Sequence, residues 1–148
     1  MDVLGTIQKT YNKKIVIKKG FNYEIRVSIQ KILHKNIVDI NIYVYFCNNK
    51  KLNLLTEYYG KESRIKIVDI QVEKDDRNQG YGSVAMSILF EIGELLGVTK
   101  YTGFLSDNDI YDIEDLEHKD RLVRFYTKFD FLVDIDNRRI EKTYIIKK

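Results

Sequence analysis

A glycine-containing loop between an apolar strand and an apolar helix constrains this 148-residue chain more than any other feature. The loop reads RNQGYGS over residues 77–83. It follows a strand predicted over residues 64–72 and precedes a helix predicted over residues 83–96, which Gly97 would close. Glycines at such a turn let the backbone approach a ligand closely, and the first amides of a helix have no partners within it. With the positive end of the helix dipole, these amides form a candidate phosphate site.

The dinucleotide-binding fingerprint is one pattern that competes for this loop. Gly80-x-Gly82-x-x-Ala85 satisfies its glycine spacing, and an aspartate, Asp107, follows at about the expected 20 residues. However, residues 73–79 separate the strand from the first glycine, and the strands predicted upstream are antiparallel. This context argues against a nicotinamide cofactor. A Walker A loop is excluded because the chain has no Gly-Lys-Ser/Thr here.

A second pattern, R/Q-x-x-G-x-G/A, fits both the loop and its distance from the strand. Arg77, Gly80 and Gly82 occupy its fixed positions, shortly after the predicted end of the strand at Val72. With this spacing the segment resembles the acetyl-coenzyme A (acetyl-CoA) loop of the GNAT superfamily of N-acyltransferases.

Residues 119–131 (KDRLVRFYTKFDF) form a second block with the same resemblance. They are similar to the family's later helix, which usually reads N-x-x-A-x-x-x-Y-x-x-x-G-F. Tyr126 and Phe131 fall in register with that pattern, whereas Lys119 replaces its Asn and Asp130 replaces its Gly. The two blocks occur in the family's order and separation, so together they are more specific than either alone.

The resemblance covers residues 65–133 and implies an α+β fold. We expect a GNAT-like central mixed, mostly antiparallel sheet flanked by helices, in a single acyltransferase-like domain over residues 1–148 with a cofactor-binding core at 64–133. The family usually begins with a strand and two helices that shape the acceptor site. Residues 1–62 have mainly β patterns, so we expect a β-rich N-terminal half, and the two helices have no assigned position in it.

Hydrophobic periodicity predicts the remaining elements. They are strands at residues 15–18, 23–33, 39–47, 100–105, 131–135 and 140–146, and a helix at 121–129. Residues 34–38 are predicted to join two of these strands as a hairpin. Residues 52–59 fit either a short helix or a loop.

Composition limits the classes of protein and of site. With 44% hydrophobic and 12% aromatic residues, the chain is expected to be globular. No apolar run approaches the ~20 residues of a membrane span, and we expect no membrane partner. Because the chain has a single cysteine, Cys47, it has no internal disulfide, which favours a reducing, cytoplasmic location. Cys47 itself is predicted to lie in the core. With only His34 and His118, neither a His-based metal site nor a catalytic triad is expected.

Positive charge is concentrated near the N-terminus. The net charge is +3, but residues 1–35 carry more basic than acidic side chains. The basic ones are Lys9, Lys13, Lys14, Lys18, Lys19, Arg26, Lys31 and Lys35. One interpretation is a solvated strand face. The alternative is a polyanion-binding face, which includes a nucleic-acid-binding protein. No aromatic-plus-basic signature accompanies these residues, so nucleic acid is not the expected partner.

The resemblance also implies where acetyl-CoA would bind as co-substrate. The pantetheine arm would pair with the strand backbone, which places Ile70, Gln71 and Val72 along the thioester. The pyrophosphate would rest on the loop, whose members are Arg77, Asn78, Gln79, Gly80, Tyr81, Gly82 and Ser83. A primary amine would then attack the thioester directly. Proximity and polarisation of the carbonyl by strand amides would supply much of the acceleration.

Two side chains are candidates for proton transfer. Tyr126 holds the position of the family's usual general acid, and a phenol with a reference pKa of about 10 can donate to a thiolate. The alternative is an aromatic side chain that only packs on the helix. The general base is less defined, because Val68 stands where many relatives have Glu. Asp69 follows, and in plain alternation it shares an apolar face with Ile65 and Ile67, so it is either functional or a hydrogen-bonded structural residue. Strands of the resembled family often bulge at this point, which leaves the facing of Asp69 open.

An acidic segment precedes the last predicted helix. Residues 107–120 (DNDIYDIEDLEHKD) fit either a solvated insertion or an anionic lip that attracts a cationic amine acceptor, either a small molecule or a protein. The sequence leaves the acceptor and the oligomeric state open, a homodimer included. A catalytically weak CoA-binding or regulatory module is a further alternative, because the Glu, Asn and Gly of the family pattern are replaced.

Overall fold

The computed structural model describes residues 2–105 and 113–143, and for residues 113–119 it describes the backbone alone. The helices are α1 (Val3–Thr10), α2 (Tyr81–Leu96) and α3 (Ile113–Lys128). The strands are β1 (Asn12–Lys18), β2 (Phe21–Lys31), β3 (Ile37–Phe46), β4 (Asn49–Tyr59), β5 (Arg64–Val72), β6 (Lys100–Phe104), β7 (Leu132–Asp134) and β8 (Arg139–Thr143).

Across the described residues, eight strands form one sheet in the order β1-β2-β3-β4-β5-β6-β8-β7. β5 and β6 run parallel, and the other neighbouring pairs are antiparallel. For consecutive strands this follows from the connections, because hairpins give antiparallel pairs whereas α2 provides the crossover that the parallel pair β5/β6 needs. The predicted α+β fold, with a mixed, mostly antiparallel sheet, flanking helices and a β-rich N-terminal half, is confirmed.

The core lies between the sheet and the helices α1 and α2. α2 packs across β3 and β4. Alternate residues of the central strands point toward it, and the fully buried ones are Ile25, Ile40, Ile42, Val44 and Leu54. Their partners on α2 include Met86, Ile88, Leu89 and Ile92. Because each large apolar side chain stabilises the fold by about 1.5–3 kcal/mol when it is fully buried, this interface fixes the position of α2 on the sheet.

Strand β4 corrects the prediction of a short helix or loop at residues 52–59. Leu52, Leu54 and Thr56 alternate on the core face of the strand. Thr56 is buried, and its hydroxyl donates a hydrogen bond to the carbonyl of Ile40. A polar residue at this core position obscured the alternation, but the hydrogen bond satisfies its hydroxyl.

The placement of Cys47 in the core was wrong. Cys47 lies in the turn between β3 and β4 and is exposed. Cys47 and Asn48 both have positive φ, 51° and 64°, which is the backbone geometry of a tight hairpin turn. The strand therefore ends one residue earlier than predicted, and the turn directs the thiol away from the core.

Helix α1 was not predicted, because it is short and has a single fully buried residue, Ile7. Asp2 caps it by accepting a hydrogen bond from the Gly5 N–H at 3.0 Å. Between β2 and β3, the described chain makes only a short connection at residues 32–36, as the predicted hairpin required. Before β3 the described residues form a single α-helix, α1, so the two helices with which the resembled family usually begins are not found there.

The C-terminal elements agree with the predictions in type and differ in their bounds. α2 begins at Tyr81, earlier than residue 83, and ends at Leu96, where Gly97 caps it with a positive φ of 72°, as predicted. α3 begins at Ile113 instead of residue 121, so the second half of the acidic segment is helical. Residues 107–112 lie outside the described part of the chain.

Candidate active site

Strands β5 and β6 pair over only part of their length. Residues 64–67 of β5 pair with residues 100–103 of β6, and β5 then continues to Val72. On its other side, β5 stays paired with β4 up to Val72. The edge of residues 68–72 that faces away from β4 therefore has no strand partner among the described residues. A ligand with amide groups can pair with such an edge as an added strand.

A β-bulge at Val68 reverses the facing of the residues that follow it. Ile67 lies opposite Thr56, and Asp69 lies opposite Leu55, so Val68 is the extra residue. Asp69 therefore turns to the face opposite Ile67. Plain alternation would place Asp69 on the apolar face of the preceding isoleucines, but the bulge that the family resemblance allowed for shifts the side-chain alternation by one position.

Asp69 belongs to a short row of polar side chains on that opposite face. Asn53 Nδ2 donates a hydrogen bond to Gln71 Oε1 at 3.2 Å. Gln71 Nε2 in turn donates to Asp69 Oδ2 at 3.2 Å. Asp69 and Gln71 are both exposed, so the carboxylate is oriented by a neighbour and still open to solvent.

The predicted glycine loop ends at the N-terminus of α2. Gly80 has a φ of 86° and precedes the helix as its N-cap, with no side chain to satisfy the first amides. The first helical hydrogen bond runs from the Val84 N–H to the Gly80 carbonyl. The amides of residues 81–83 therefore lie ahead of the hydrogen-bonded turns, at the positive end of the helix dipole.

A cavity of about 810 Å³ opens at this helix N-terminus. All seven predicted loop residues, 77–83, line it, and so do Ile70 and Val72 of β5. Six basic side chains also line it, and they are Lys18, Lys19, Arg77, Arg121, Arg124 and Lys128. The acid in its lining, Asp76, is paired with Lys51 Nζ at 3.3 Å. The described residues that line the cavity thus carry a strong excess of positive charge, which suits a polyanionic ligand.

Arg77 carries a buried hydrogen-bond donor in this wall. Its Nε atom has no hydrogen-bond partner among the described residues. Buried polar atoms are normally paired, so an exception in a cavity marks a place for a ligand or an ion. At Gly80 an added Cβ would meet no atom within 4 Å, so the space above the loop is open for that ligand.

Gly82 has a packing role besides its place in the loop. A Cβ atom there would lie 2.8 Å from Cε1 of Phe125 on α3. Further along the same interface, Phe90 of α2 packs against Phe129 with ring centroids 5.9 Å apart. The glycine therefore lets α3 approach the first turn of α2 and close one wall of the cavity.

Tyr126, the predicted general acid, is buried beside the cavity and is not part of its lining. Its ring packs against Phe125 and Phe131, with centroids 5.3 and 5.4 Å away. Burial raises the pKa of the Tyr126 hydroxyl well above its usual range, and the negative charge of Asp69 raises it further. Tyr126 is therefore a neutral phenol at physiological pH. Its pKa responds to the charge of Asp69, the other predicted catalytic residue.

Several residues of the cavity were missed in the sequence. Lys18 and Lys19 were counted only as part of a charged N-terminal region, but they lie at the turn between β1 and β2 and face the loop. Arg121, Arg124 and Lys128 recur at helical spacing in α3. That spacing is a usable signal, because it places all three on one side of the helix.

Comparison with known proteins decides the fold. The structure matches the ribosomal-protein-S18-alanine N-acetyltransferase of Escherichia coli with a TM-score of 0.56 and 13% identity, over 74% of this chain and 72% of that one. It matches an acetyltransferase of the GNAT family from Streptococcus pneumoniae with a TM-score of 0.53 and 13% identity, over 72% and 67%. The chain has the GNAT fold. A third neighbour with this fold is the PaiA N-acetyltransferase of Thermoplasma acidophilum in complex with coenzyme A, with a TM-score of 0.53 and 11% identity, over 70% and 60%.

At the sequence level the similarities are narrower. The chain matches no protein-family model. It is 36% identical over 77 residues to the uncharacterized protein YocC of Bacillus subtilis (strain 168). That match covers 52% of this chain and 41% of YocC, so the chain spans about two fifths of the curated relative it matches. The GNAT fold therefore rests on the structure.

Proposed function

We propose that this protein is an N-acetyltransferase that transfers an acetyl group from acetyl-CoA to a primary amine. The observation that carries the proposal is the cavity that runs from the unpaired edge of β5 to the N-terminus of α2. An extended edge and an anion site at its end match the two chemical parts of CoA, an amide-containing arm and a pyrophosphate.

The residues of the cavity fit this co-substrate. The wall formed by the described residues is strongly basic, and Arg77, whose buried Nε has no partner among those residues, lines it together with residues 81–83. Backbone amides at a helix N-terminus and a guanidinium are both common partners of phosphate oxygens. The neighbour from T. acidophilum was solved in complex with coenzyme A, which supports this assignment.

Strand β5 supplies the expected surface for the pantetheine arm. Ile70 and Val72 line the cavity, whereas the Gln71 side chain points to the opposite face and can contribute only its backbone there. Acetyl-CoA, when bound, supplies a thioester whose carbonyl carbon the amine attacks. An unpaired N–H of residues 68–72 would donate a hydrogen bond to the carbonyl oxygen and stabilise the charge that develops on it.

Tyr126 is our candidate for the general acid. Its raised pKa keeps the proton on the hydroxyl, ready for the departing thiolate. The same raised pKa weakens the driving force for that transfer, so the developing thiolate must come close to the hydroxyl. The position of Tyr126 just behind the wall of the cavity supports a role at the deep end of the site.

Asp69 is our candidate for the group that receives the amine's proton or holds the ammonium form. The bulge at Val68 directs it to the face opposite α2, so the amine and the pyrophosphate would enter from different sides of β5. A carboxylate attracts a protonated amine and can then accept its proton. The negative charge of Asp69 adds to the raised pKa of Tyr126, which supports a placement of the two groups in the same region of the protein.

The acceptor is proposed only as an amine, either a small molecule or a protein and preferably cationic. One neighbour is a ribosomal-protein-S18-alanine N-acetyltransferase and another is a nourseothricin acetyltransferase, so the fold alone does not choose between these classes. None of the described helices is long and apolar enough to cross a membrane. A cytoplasmic location, a homodimer and a single domain over residues 1–148 remain predictions.

A CoA-binding module with weak catalysis is the second candidate function. It is favoured by the burial of Tyr126 and by Val68 in place of the family's Glu. Measuring thiol release from acetyl-CoA distinguishes the transferase from the CoA-binding module. The assay uses a panel of amines that includes polyamines, aminoglycosides and peptides with free N-termini. Amine-dependent release that Tyr126→Phe reduces supports the transferase. Tight cofactor binding with no release for any amine supports the module.

A further inference from the structure

The turn between β1 and β2 brings two lysines to the cavity. Lys18 and Phe21 close the hairpin, and the two residues between them have positive φ, 52° at Lys19 and 80° at Gly20. Tight hairpins of this geometry favour Asn, Asp or Gly at their first position, where a lysine is disfavoured. The lysine at this position therefore calls for an explanation other than turn formation.

Aromatic packing holds this hairpin against the start of α2. The Phe21 ring packs edge-on against Phe46 at 6.0 Å, and the Tyr23 ring packs edge-on against Tyr81 at 6.0 Å. Tyr81 is the first residue of α2, so these contacts tie the turn to the anion site. Phe21 is 55% exposed and lines the cavity, which leaves apolar surface beside the two lysines.

Three ammonium groups converge beside this turn. Lys128 Nζ of α3 donates a hydrogen bond to Ser83 Oγ at 3.2 Å, which anchors it at the first turns of α2. Burial lowers the pKa of Lys18, and the charges of Lys128 and Lys19 lower it further, so the three lie within electrostatic reach. Among the described residues, no carboxylate forms an ion pair with any of them. The cluster needs an anion to offset its self-repulsion.

We propose that Lys18, Lys19 and Lys128 form a second phosphate subsite that binds the 3′-phosphate of CoA and so selects CoA over 3′-dephospho-CoA. The inference rests on the proposed function. CoA carries a monophosphate on its ribose apart from its pyrophosphate, and the cavity offers anion-binding atoms on two different parts of the fold, which adjoin at Ser83. Arg77 and the amides of residues 81–83 form one group, and the lysine cluster forms the other. A phosphate monoester carries about −1.5 to −2 charges at pH 7, which suits three ammonium groups.

Isothermal titration with CoA and with 3′-dephospho-CoA tests the inference. We expect the wild-type protein to bind CoA at least about tenfold more tightly, because charge-assisted hydrogen bonds to one phosphate are lost in the dephospho form. The Lys18→Ala/Lys19→Ala variant should reduce this ratio to near one and leave the affinity for 3′-dephospho-CoA almost unchanged. Lys31→Ala/Lys35→Ala is the matched control, because it removes the same charge from exposed positions outside the cavity and should keep the ratio.

Lys128→Met provides a second variant on a different element, in case the turn variant folds poorly. It should also lower the preference for CoA without a loss of affinity for 3′-dephospho-CoA. Equal affinities of the wild-type protein for the two cofactors would overturn the subsite and leave the transferase proposal standing. Equal losses for both cofactors in the lysine variants would overturn it too, because the lysines would then serve the pyrophosphate. Binding of neither cofactor by the wild type would overturn the transferase proposal together with the subsite.

Discussion

Gly82 of α2 faces the ring of Phe125 of α3, and a Cβ atom at Gly82 would lie 2.8 Å from Cε1 of that ring. The second glycine of the predicted phosphate loop therefore also sets the distance between two helices. The loop, the helix N-terminus and the α3 wall of the cavity depend on one another through this contact. A substitution at Gly82 consequently tests packing as well as ligand binding.

Gly82→Ala should destabilise the fold. The added methyl group meets the Phe125 ring closer than carbon atoms normally approach, and such overpacking typically costs about 1–3 kcal/mol. The better helix propensity of alanine offsets at most about 1 kcal/mol of this cost. Urea denaturation measures the free energy of unfolding. The double variant Gly82→Ala/Phe125→Leu should show favourable coupling relative to the sum of the single changes. A Gly82→Ala protein as stable as the wild type would contradict the contact.

Tyr126→Phe should lower kcat about 10²-fold, because it removes the proton donor for the thiolate. The KM for acetyl-CoA should stay the same, since Tyr126 does not line the cavity. Steady-state kinetics with saturating amine measures both constants. Tyr58→Phe is the control, because Tyr58 also packs against the core and lies outside the lining of the cavity. An unchanged kcat in Tyr126→Phe would limit that residue to packing.

Asp69→Asn should reduce acetyl transfer most strongly near neutral pH. An alkyl amine with a pKa of about 10.4 is then mostly protonated and needs a group to take its proton. The defect should shrink as the pH rises and the amine loses its proton to solvent. The dependence of kcat/KM on pH measures this for the variant and the wild type. Asp39→Asn, on strand β3 of the same sheet, is the matched control, and neither aspartate is part of the described lining of the cavity. Parallel pH profiles in Asp69→Asn and wild type would remove Asp69 from the mechanism.

Stability should fall at alkaline pH partly through Tyr11. Its hydroxyl donates a hydrogen bond to Glu91 Oε1 at 3.1 Å, and burial together with the Glu91 charge raises its pKa to about 12. The unfolded chain loses this proton near pH 10, whereas the folded chain keeps it until about pH 12. The unfolded state therefore binds fewer protons in this window, and the free energy of unfolding falls as pH rises.

The Tyr11→Phe variant isolates this contribution. Its free energy of unfolding should decline less steeply than that of the wild type over the same alkaline window. Glu91→Gln keeps the burial and removes the charge, so its slope should lie between the two. Urea denaturation at a series of pH values measures the slopes. Equal slopes in wild type and Tyr11→Phe would show that Tyr11 titrates alike in the folded and unfolded states.

The sequence predicted those parts of the fold where local pattern and tertiary environment agree. Strands β2 and β3 alternate strictly because one face packs on the helices, and α2 has a continuous apolar run closed by Gly97. Strand β4 was not predicted, because Thr56 occupies a core position and its hydroxyl is satisfied by a hydrogen bond that forms only in the folded sheet. The exposed position of Cys47 depends on where the β3–β4 turn forms, and alternation alone does not fix that point.

The candidate site was predictable only in its local part. Residues 77–83 are contiguous in sequence, and the structure brings all of them to the cavity. The facing of Asp69 depends on a bulge, which adds one residue without any change of composition. Lys18 and Lys128 are far apart in the chain and line the same cavity only in the folded protein, so no local pattern joins them. The catalytic roles of Tyr126 and Asp69 remain predictions.

The most direct test of the account is a thermal melt with and without excess acetyl-CoA, carried out on wild type, Arg77→Ala and Arg26→Ala. Arg77 lines the cavity, whereas Arg26 lies outside its lining and contacts Tyr45 and Glu24. Acetyl-CoA at about 100 times its dissociation constant should stabilise the wild type by about 2.7 kcal/mol, a shift of several degrees. We expect a similar shift in Arg26→Ala and a much smaller one in Arg77→Ala. No shift in the wild type at saturating acetyl-CoA would contradict the cofactor site at the N-terminus of α2.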